Sequence, residues 1–399
     1  MFNTIEEALN SFKNGKPILV VDDETRENEG DIIFPAATAT QEKLNLCAVE
    51  AKGLVCIAMD PKIANRLQLS PVASNHKDAF HTAFYDSIDA TAVYGITTGI
   101  SAKERAITAA HIANPNSMPN DFIKPGHLFP VVAKTNGVLV RQGHTEAAVD
   151  LCKLTGHEPA AIICEVMDKD GNMMRREGLF EFAKRLTLKV ITIQQIVDHR
   201  NATENHLLFV SKSQLPTSFG DFDIEVFENI LTKEEQVLIS MRKTNNQPIV
   251  RIHSECLTGD IFGSLRCDCQ QQLHSAMSLI AENGHGYIVY LKGQEGRGIG
   301  IGNKIAAYAL QEQGLNTYVA NEKLGLPKDA RNYINAIWML KVLHIDDFYL
   351  MSNNPQKVIA LTNAGFSFNI LQVGVTSTSQ NQQYLNDKVE IGKHTIKFN

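Results

Sequence analysis

The sequence predicts a mixed α/β (α+β) protein of two independent domains, residues 1–200 and 201–399, each a mixed sheet covered by helices. Three observations carry this. At 399 residues the chain exceeds what one hydrophobic core usually serves, and each half is long enough to bury its own. Short apolar, strand-like runs are interspersed with helical stretches in both halves. The halves share no motif and no internal repeat, so they read as separate modules rather than as a duplication.

In the first half, Thr4 and Glu7 form a capping box ahead of Ala8, Leu9 and Phe12, and Gly15 stops the helix. PILVV is a strand. The run Asp22 to Asp31, DDETRENEGD, sets six acids around Arg26 before the apolar IIFP. It is either a solvated loop or a set of oxygen ligands at a sheet edge, of the kind that suits Mg2+. GLVCIAM is a buried strand, and Ser101 with Glu104 caps a helix through about Ile112. DFIKPGHLFP, with two prolines and a glycine around His127, reads as a rigid loop. RQGHTEA then places Arg141, His144 and Thr145 at a strand-to-helix turn after VLV, where helix N-termini bind phosphate. AAIICEV is a strand ending on Glu165, either a solvent-facing end or a functional carboxylate. KVITIQQIVDHR closes this half, and Asn201 to Ser213 shows neither helical nor strand periodicity.

In the second half, LPTSFGDFDIEVFEN alternates as hairpin strands do, and PIVRIHSE is a strand running into the first of three clustered cysteines. The stretch RIHSECLTGDIFGSLRCDC holds Cys256, Cys267 and Cys269 in a C-x10-C-x-C pattern. Three thiolates without a fourth nearby ligand suit a zinc ion that keeps one coordination position open; packed or redox-active cysteines are the alternative. A helix follows to Asn283-Gly284, then the strand GYIVYLKG. QEGRGIGIG is a glycine-rich loop leading into the helix NKIAAYALQEQG, which ends at Gly314. Glycines admit an anion to backbone N–H groups and Arg297 offers a fork of donors, but the loop fits neither the P-loop nor the dinucleotide fingerprint. Asp329 and Arg331 fall at a helix start, Trp338 is at core spacing, and Ser352-Asn353-Asn354-Pro355 caps a final helix reaching Gly365.

A net charge of -6 with scattered positive residues argues against a nucleic-acid or membrane-surface binder. Seven cysteines, with Cys47, Cys56, Cys152 and Cys164 standing singly in apolar runs, read as reduced thiols. No apolar run approaches the ~18 residues of a membrane span, and the N-terminus lacks a signal peptide's pattern, so a cytoplasmic protein is expected. From the residues alone, the open zinc position suits attack on a heterocycle carbon and the loop suits that heterocycle's phosphates. In the first half, acids with His144 could hold Mg2+ against a sugar phosphate while Glu165 moves protons.

HSECLTGD, RCDC, QEGRGIG and NKIAAYALQEQG closely resemble GTP cyclohydrolase II, and DDETRENEGD, PGHLFP and RQGHTEA resemble 3,4-dihydroxy-2-butanone 4-phosphate synthase. Together the motifs resemble the bifunctional riboflavin biosynthesis family. The resemblance implies that the first half converts D-ribulose 5-phosphate to 3,4-dihydroxy-2-butanone 4-phosphate and formate with Mg2+ or Mn2+. Glu27 and His144 match its metal ligands. Arg26, Glu27, Asp31, Arg141, Gln142, Gly143, His144 and Thr145 match substrate contacts, and Glu165 matches an essential carboxylate. It implies that the second half opens the guanine ring of GTP to give 2,5-diamino-6-(5-phosphoribosylamino)pyrimidin-4(3H)-one, formate and pyrophosphate. There Cys256, Cys267 and Cys269 match zinc ligands. Arg251, Ile252, His253, Ser254, Glu255, Gln272, Glu295, Gly296, Arg297, Thr317, Ser352 and Lys357 match GTP contacts. Asp329 and Arg331 match a proton acceptor and a nucleophile, although an arginine's high pKa makes a phosphate clamp the milder reading. A homodimer is implied, with no nucleic acid and no membrane partner. Tyr85-Asp86 stands where the family has a threonine and a small apolar residue, Ser352 replaces a threonine, and Gln270 replaces a glycine. The first departure motivates an alternative in which only the cyclohydrolase half is active and the first half is a dimerisation scaffold.

Overall fold

A computed structural model describes residues 1–72, 82–313, 315–375, 377–395 and 397–398. The chain divides into two units, Met1–Thr203 and Glu204–Asn399, and the helix Ile193–Thr203 runs through residue 200.

The first unit is built on β1 (Ile18–Val21), β2 (Gly30–Pro35), β3 (Lys52–Met59), β4 (Ile88–Ala90), β5 (Phe122–Val132), β6 (Ala160–Val166) and β7 (Lys189–Thr192). They form a mixed sheet in the order β4-β5-β3-β6-β2-β1-β7, with β1/β7 and β3/β5 parallel and the other pairs antiparallel. ILVV is buried throughout because successive residues enter two cores: Leu19 and Val21 on one face, Ile18 and Val20 on the other. Helices cover both faces. Thr4 caps the helix Ile5–Lys13 by accepting from Glu7 N, and Ser101 caps Ala102–Ile112 by accepting from Glu104 N.

The second unit is also built on a seven-stranded mixed sheet, of different strand order: β8 (Leu207–Thr217), β9 (Gly220–Asn229), β10 (Glu235–Arg242), β11 (Ile249–Ser254), β12 (His285–Leu291), β13 (Asp347–Met351) and β14 (Ser367–Leu371). The order is β14-β13-β11-β12-β10-β9-β8, parallel from β12 through β11 and β13 to β14 and antiparallel beyond. Val250 and Ile252 of β11 enter one core and Ile249 the other, so this sheet too is buried on both faces.

Several expectations need correction. DFIKPGHLFP is not a loop: it forms most of β5, whose pairing with β4 slips between Leu128 and Ile123. The bulge takes up Pro125, which has no N–H to give a ladder, and leaves His127 free of the regular pairing. VLV is not a strand, since Gly137–Leu139 makes a single tight turn after Asn136 at φ 70. The segment without periodicity contains the start of β8; an edge strand, it exposes Leu208, Phe209 and Val210, so no buried face imposes an alternating pattern. Asp329 and Arg331 precede the helix Ile334–Val342 by several residues, and Asp329 turns the chain by accepting from Arg331 N at 3.0 Å. The glycine loop turns through left-handed backbone at Gly296 (φ 60) and Arg297 (φ 69) before the helix Ile301–Gln311. Gly314, the expected stop, lies outside the described residues. The helix Pro355–Asn363 is not the last: Gln382–Glu390 is also helical. Its sequence NQQYLNDKVE has too few apolar residues to announce it.

Candidate active sites

In the first unit, the acid-rich turn between β1 and β2 is organised by Asp22. Its buried carboxylate accepts from Glu27 N (3.0 Å), Glu29 N (2.8 Å) and Arg26 Nη1 (3.0 Å). This folds Glu27 back toward His144, the first residue of the helix His144–Thr155. One ligand atom from each of Asp22, Glu27 and His144 lies within 4.8 Å of the others. His144 Nδ1 is 3.8 Å from Glu27 Oε2 and 3.7 Å from Asp31 Oδ1. His144 Nε2 and Asp31 Oδ1 are buried without a hydrogen-bond partner. Orphaned buried polar atoms are rare, and carboxylates with an imidazole are hard donors, so this group fits Mg2+ or Mn2+.

The charges are arranged unequally. Burial pushes Asp31 up to about 7, with Glu165 and Glu27 adding to the shift against His144. Burial also raises Glu165, whose Oε2 accepts from Leu54 N at 3.1 Å and which sits opposite Asp31 across β2 and β6. For His144, burial is outweighed by Asp31 and Glu27, which lift it to about 9. Burial likewise opposes Glu27's charge, but His144 and Arg26, the latter at 2.8 Å, hold it below the usual range. Arg141 donates to Glu146 and, at 3.1 Å, to Thr82 Oγ1. Gly143 is the N-cap and Thr145 is buried behind it, while Gln142 is exposed on the turn. His127 Nδ1 lies 2.7 Å from Asp89 Oδ2. Tyr85 packs against the core beside β5, and its N–H donates to Pro130 O.

In the second unit, the end of β11 delivers Cys256, and the start of the helix Cys269–Asn283 delivers Cys269. Asp260 ties the loop between them: Oδ2 accepts from Cys256 N (3.0 Å) and Tyr290 OH (2.9 Å), and Oδ1 lies 3.0 Å from His253 Nε2. The Thr-Gly-Asp turn needs its glycine, since a Cβ on Gly259 would fall 2.7 Å from Cys267 Sγ and 3.1 Å from Cys256 Sγ. Gln270 adds a bond of 3.3 Å to Asp260 O, which gives the side chain at that departure a holding role. Cys256 and Cys267 sulfurs are 3.7 Å apart, close to the about 3.8 Å that tetrahedral bonds of ~2.3 Å would set, so the thiols fit zinc. The thiols are not equivalent. Hydrogen bonds from Cys267 and Cys269, with Lys304 at 3.2 Å, hold Cys256 far below the usual thiol range, whereas Cys256 pushes Cys267 up to about 11.

Two cavities meet at this cluster. One is lined by the three cysteines, Glu255, Glu295, Gly296 and Lys304; the other by Arg251, His253, Gln272, Ser352 and Lys357. Ser254, Cys269, Arg297, Arg331 and Tyr384 line both, so thiols and guanidinium groups share one wall. Burial, with Arg251 and Arg331 close by, holds the Lys357 ammonium well below the usual lysine range, as its Nζ donates to Ile252 O at 2.7 Å. Burial opposes the Arg331 charge, but Asp329 outweighs it and raises the guanidinium above the ordinary arginine range. Arg331 Nε to Asp329 Oδ1 is 2.9 Å. Ser352 Oγ accepts from Asn354 N at 3.1 Å, so the hydroxyl at that departure is in use. Ile252 is fully buried in the core and offers only its backbone. Thr317 begins the helix Thr317–Lys323, and its side chain lies outside the described part.

Sequence reasoning passed over Asp22, Asp260, Asp268, Lys304, Tyr384 and Lys388. Asp22 and Asp260 were visible in their motifs without a role. The others are polar residues whose burial depends on distant segments.

The family profile described as 3,4-dihydroxy-2-butanone 4-phosphate synthase matches residues 6–199, and that described as GTP cyclohydrolase II matches residues 209–371. The riboflavin biosynthesis protein RibBA of Aquifex aeolicus is 45% identical over 392 residues, covering 97% of this chain and 96% of its own. RibBA of Bacillus cereus (strain ATCC 14579) is 46% identical over 403 residues, covering 100% of both chains. Among solved structures, RibBX, a two-domain 3,4-dihydroxy-2-butanone 4-phosphate synthase from A. baumannii, has a TM-score of 0.65 at 27% identity, covering 92% of this chain and 99% of its own. With both profiles matched, and with Asp22, Glu27 and His144 assembled in the first unit, the alternative of an inert scaffold is not favoured. The order of the two profiles and the near-complete coverage by RibBA relatives agree: this chain belongs to the bifunctional riboflavin biosynthesis family, a 3,4-dihydroxy-2-butanone 4-phosphate synthase domain followed by a GTP cyclohydrolase II domain.

Proposed function

We propose that the first domain is a carbon-carbon lyase that converts D-ribulose 5-phosphate to 3,4-dihydroxy-2-butanone 4-phosphate and formate. We take the second to be a zinc-dependent hydrolase that converts GTP to the diaminopyrimidinone, formate and pyrophosphate. The observation that carries this reading is the wall shared by thiols and arginines in the second unit, which suits a substrate with a reactive ring at one end and phosphates at the other.

In the second domain, Cys256, Cys267 and Cys269 hold Zn2+, which when bound polarises a water for attack on the purine ring. Arg251, Arg297 and Lys357 meet the phosphates, while Ser254, Glu255, Gln272, Glu295 and Ser352 orient the nucleotide. His253 braces Asp260, Gly296 lets the backbone approach, Ile252 contributes its peptide, and Thr317 contacts GTP. Arg331 acts as a phosphate clamp because Asp329 keeps it protonated and presents its fork. Burial opposes the Asp329 charge, but Arg331 holds that carboxylate below its usual range, so it stays ionised and orients the guanidinium toward the phosphates.

In the first domain, Glu27 and His144 hold Mg2+ or Mn2+, which when bound polarises the substrate's oxygens. Arg26 steadies Glu27. Arg141, Gln142, Gly143 and Thr145 receive the phosphate at the helix N-terminus. Asp31 and Glu165, both raised above the ordinary carboxylate range, take up and return protons next to the carbonyl.

The reading also takes the protein to be a cytoplasmic homodimer without nucleic-acid or membrane partners. Among the described residues, no helix is long and apolar enough to cross a membrane. The test is metal analysis together with product measurement: zinc at one per chain, formate and pyrophosphate from GTP, and formate from ribulose 5-phosphate with Mg2+. GTP turnover in protein freed of zinc would refute the second assignment. Ribulose 5-phosphate turnover in the presence of a chelator would refute the first.

A further inference from the structure

The end of the chain reads as a polar tail and lies beyond residue 371, where the match to GTP cyclohydrolase II stops. Yet the helix Gln382–Glu390 is a wall of the proposed GTP site. Tyr384 lines both cavities and Lys388 lines the arginine-rich one. The segment is fastened at several points. Leu385 is fully buried, Asn353 Nδ2 donates to Val373 O at 2.8 Å, and Thr395 N donates to Asn353 O at 3.1 Å.

Lys388 Nζ lies 4.6 Å from the centre of the Tyr384 ring and donates to Asp268 Oδ1 at 2.6 Å. Asp268 is fully buried and sits between Cys267 and Cys269 in sequence. Its second oxygen accepts from Gln272 Nε2, and Gln272 Oε1 accepts from Arg251 Nη2. Arg251 Nη1 is spent on Met351 O at 3.0 Å. A chain of charge-assisted bonds therefore runs from the last helix through Asp268 and Gln272 to Arg251. Removing Lys388 would leave a buried carboxylate without a cation, and that carboxylate would draw Gln272 and Arg251 toward itself.

We propose that the C-terminal helix is a working part of the GTP site, with Lys388 a positioning residue that holds Asp268, Gln272 and Arg251 where the nucleotide's phosphates are received. Tyr384 closes the wall between thiols and arginines. The proposal rests on the GTP reading above, so wild-type turnover is the reference for the test.

In the full-length, zinc-loaded protein, Lys388→Met raises KM for GTP by at least about tenfold while kcat moves by less than about threefold, the signature of lost substrate positioning. The stabilisation that GTP gives in thermal unfolding shrinks in parallel. Lys388→Arg returns KM to within about threefold of wild type, and combining Lys388→Met with Asp268→Asn recovers most of the loss because no carboxylate is left stranded. Zinc content and ribulose 5-phosphate turnover stay at wild-type levels. If Lys388→Met does not fold, the arginine variant and the double variant carry the same comparison. A KM within about twofold of wild type in Lys388→Met, or a loss that arginine does not repair, overturns the proposal. Wild-type protein that releases no formate from GTP overturns instead the reading beneath it.

Discussion

Arg331 offers the sharpest test of how the second site works, because its two candidate roles differ by a protonation state. A guanidine nitrogen can attack phosphorus only when neutral. The ordinary arginine value lies about five pH units above a working pH of ~7.5, so neutralising the group costs about 7 kcal/mol. The structure makes this worse: Asp329 outweighs burial and raises Arg331 further. A clamp bears none of that cost. Arg331→Lys keeps the charge but loses the fork, so GTP turnover should fall by about 10–100-fold, with formate and pyrophosphate falling together. Arg331→Ala should fall by about 1,000-fold, through weaker binding as well as slower turnover. The assay is simultaneous formate and pyrophosphate measurement, with acid-quenched samples of the wild type exposed to GTP labelled at the α-phosphate. Label retained on denatured wild-type protein and missing from Arg331→Lys would refute the clamp.

Cys267→Ser should lose most bound zinc by metal analysis and abolish formate release from GTP, while ribulose 5-phosphate turnover persists because it belongs to the other unit. Glu27→Ala should do the reverse, ending metal-dependent formate release from ribulose 5-phosphate and sparing GTP turnover; an active variant would remove Glu27 from the ligand set. Glu104 tests a structural device in the first unit. Its carboxylate accepts from Thr97 Oγ1 (2.6 Å), Thr97 N and Ser101 Oγ, which together hold it down to about 2. A folded value below the unfolded one gives stability that is present above about pH 4.5 and lost as pH falls toward 2, so the gap in Tm between wild type and Glu104→Gln should be full at pH 7 and narrow at pH 3.5. A gap that is the same at both would count against that network.

Local pattern was enough for most strands and helices. Thr4 and Ser101 announced their helices because an N-cap is a relation between residues three apart, and ILVV announced a strand buried on both faces. It failed where one local rule competed with another. Pro125 and Gly126 favoured a loop until a bulge gave the proline a place inside β5, and the edge strand β8 carries no alternation because only β9 pairs with it.

The same division runs through the sites. The cysteine spacing, the acid-rich turn and RQGHTEA are each contiguous, so the sequence by itself offered the candidate ligands and the half of the chain that holds each, and the resemblance of those motifs pointed to the two families. Only the tertiary structure decided which polar groups are buried together. Lys304 came within reach of Cys256, and Lys388 met Asp268 across 120 residues. A polar side chain reads as solvated until a distant segment covers it. Its burial is then set by partners that no local spacing records, and this is why the last helix, with few apolar residues of its own, was legible only in the fold.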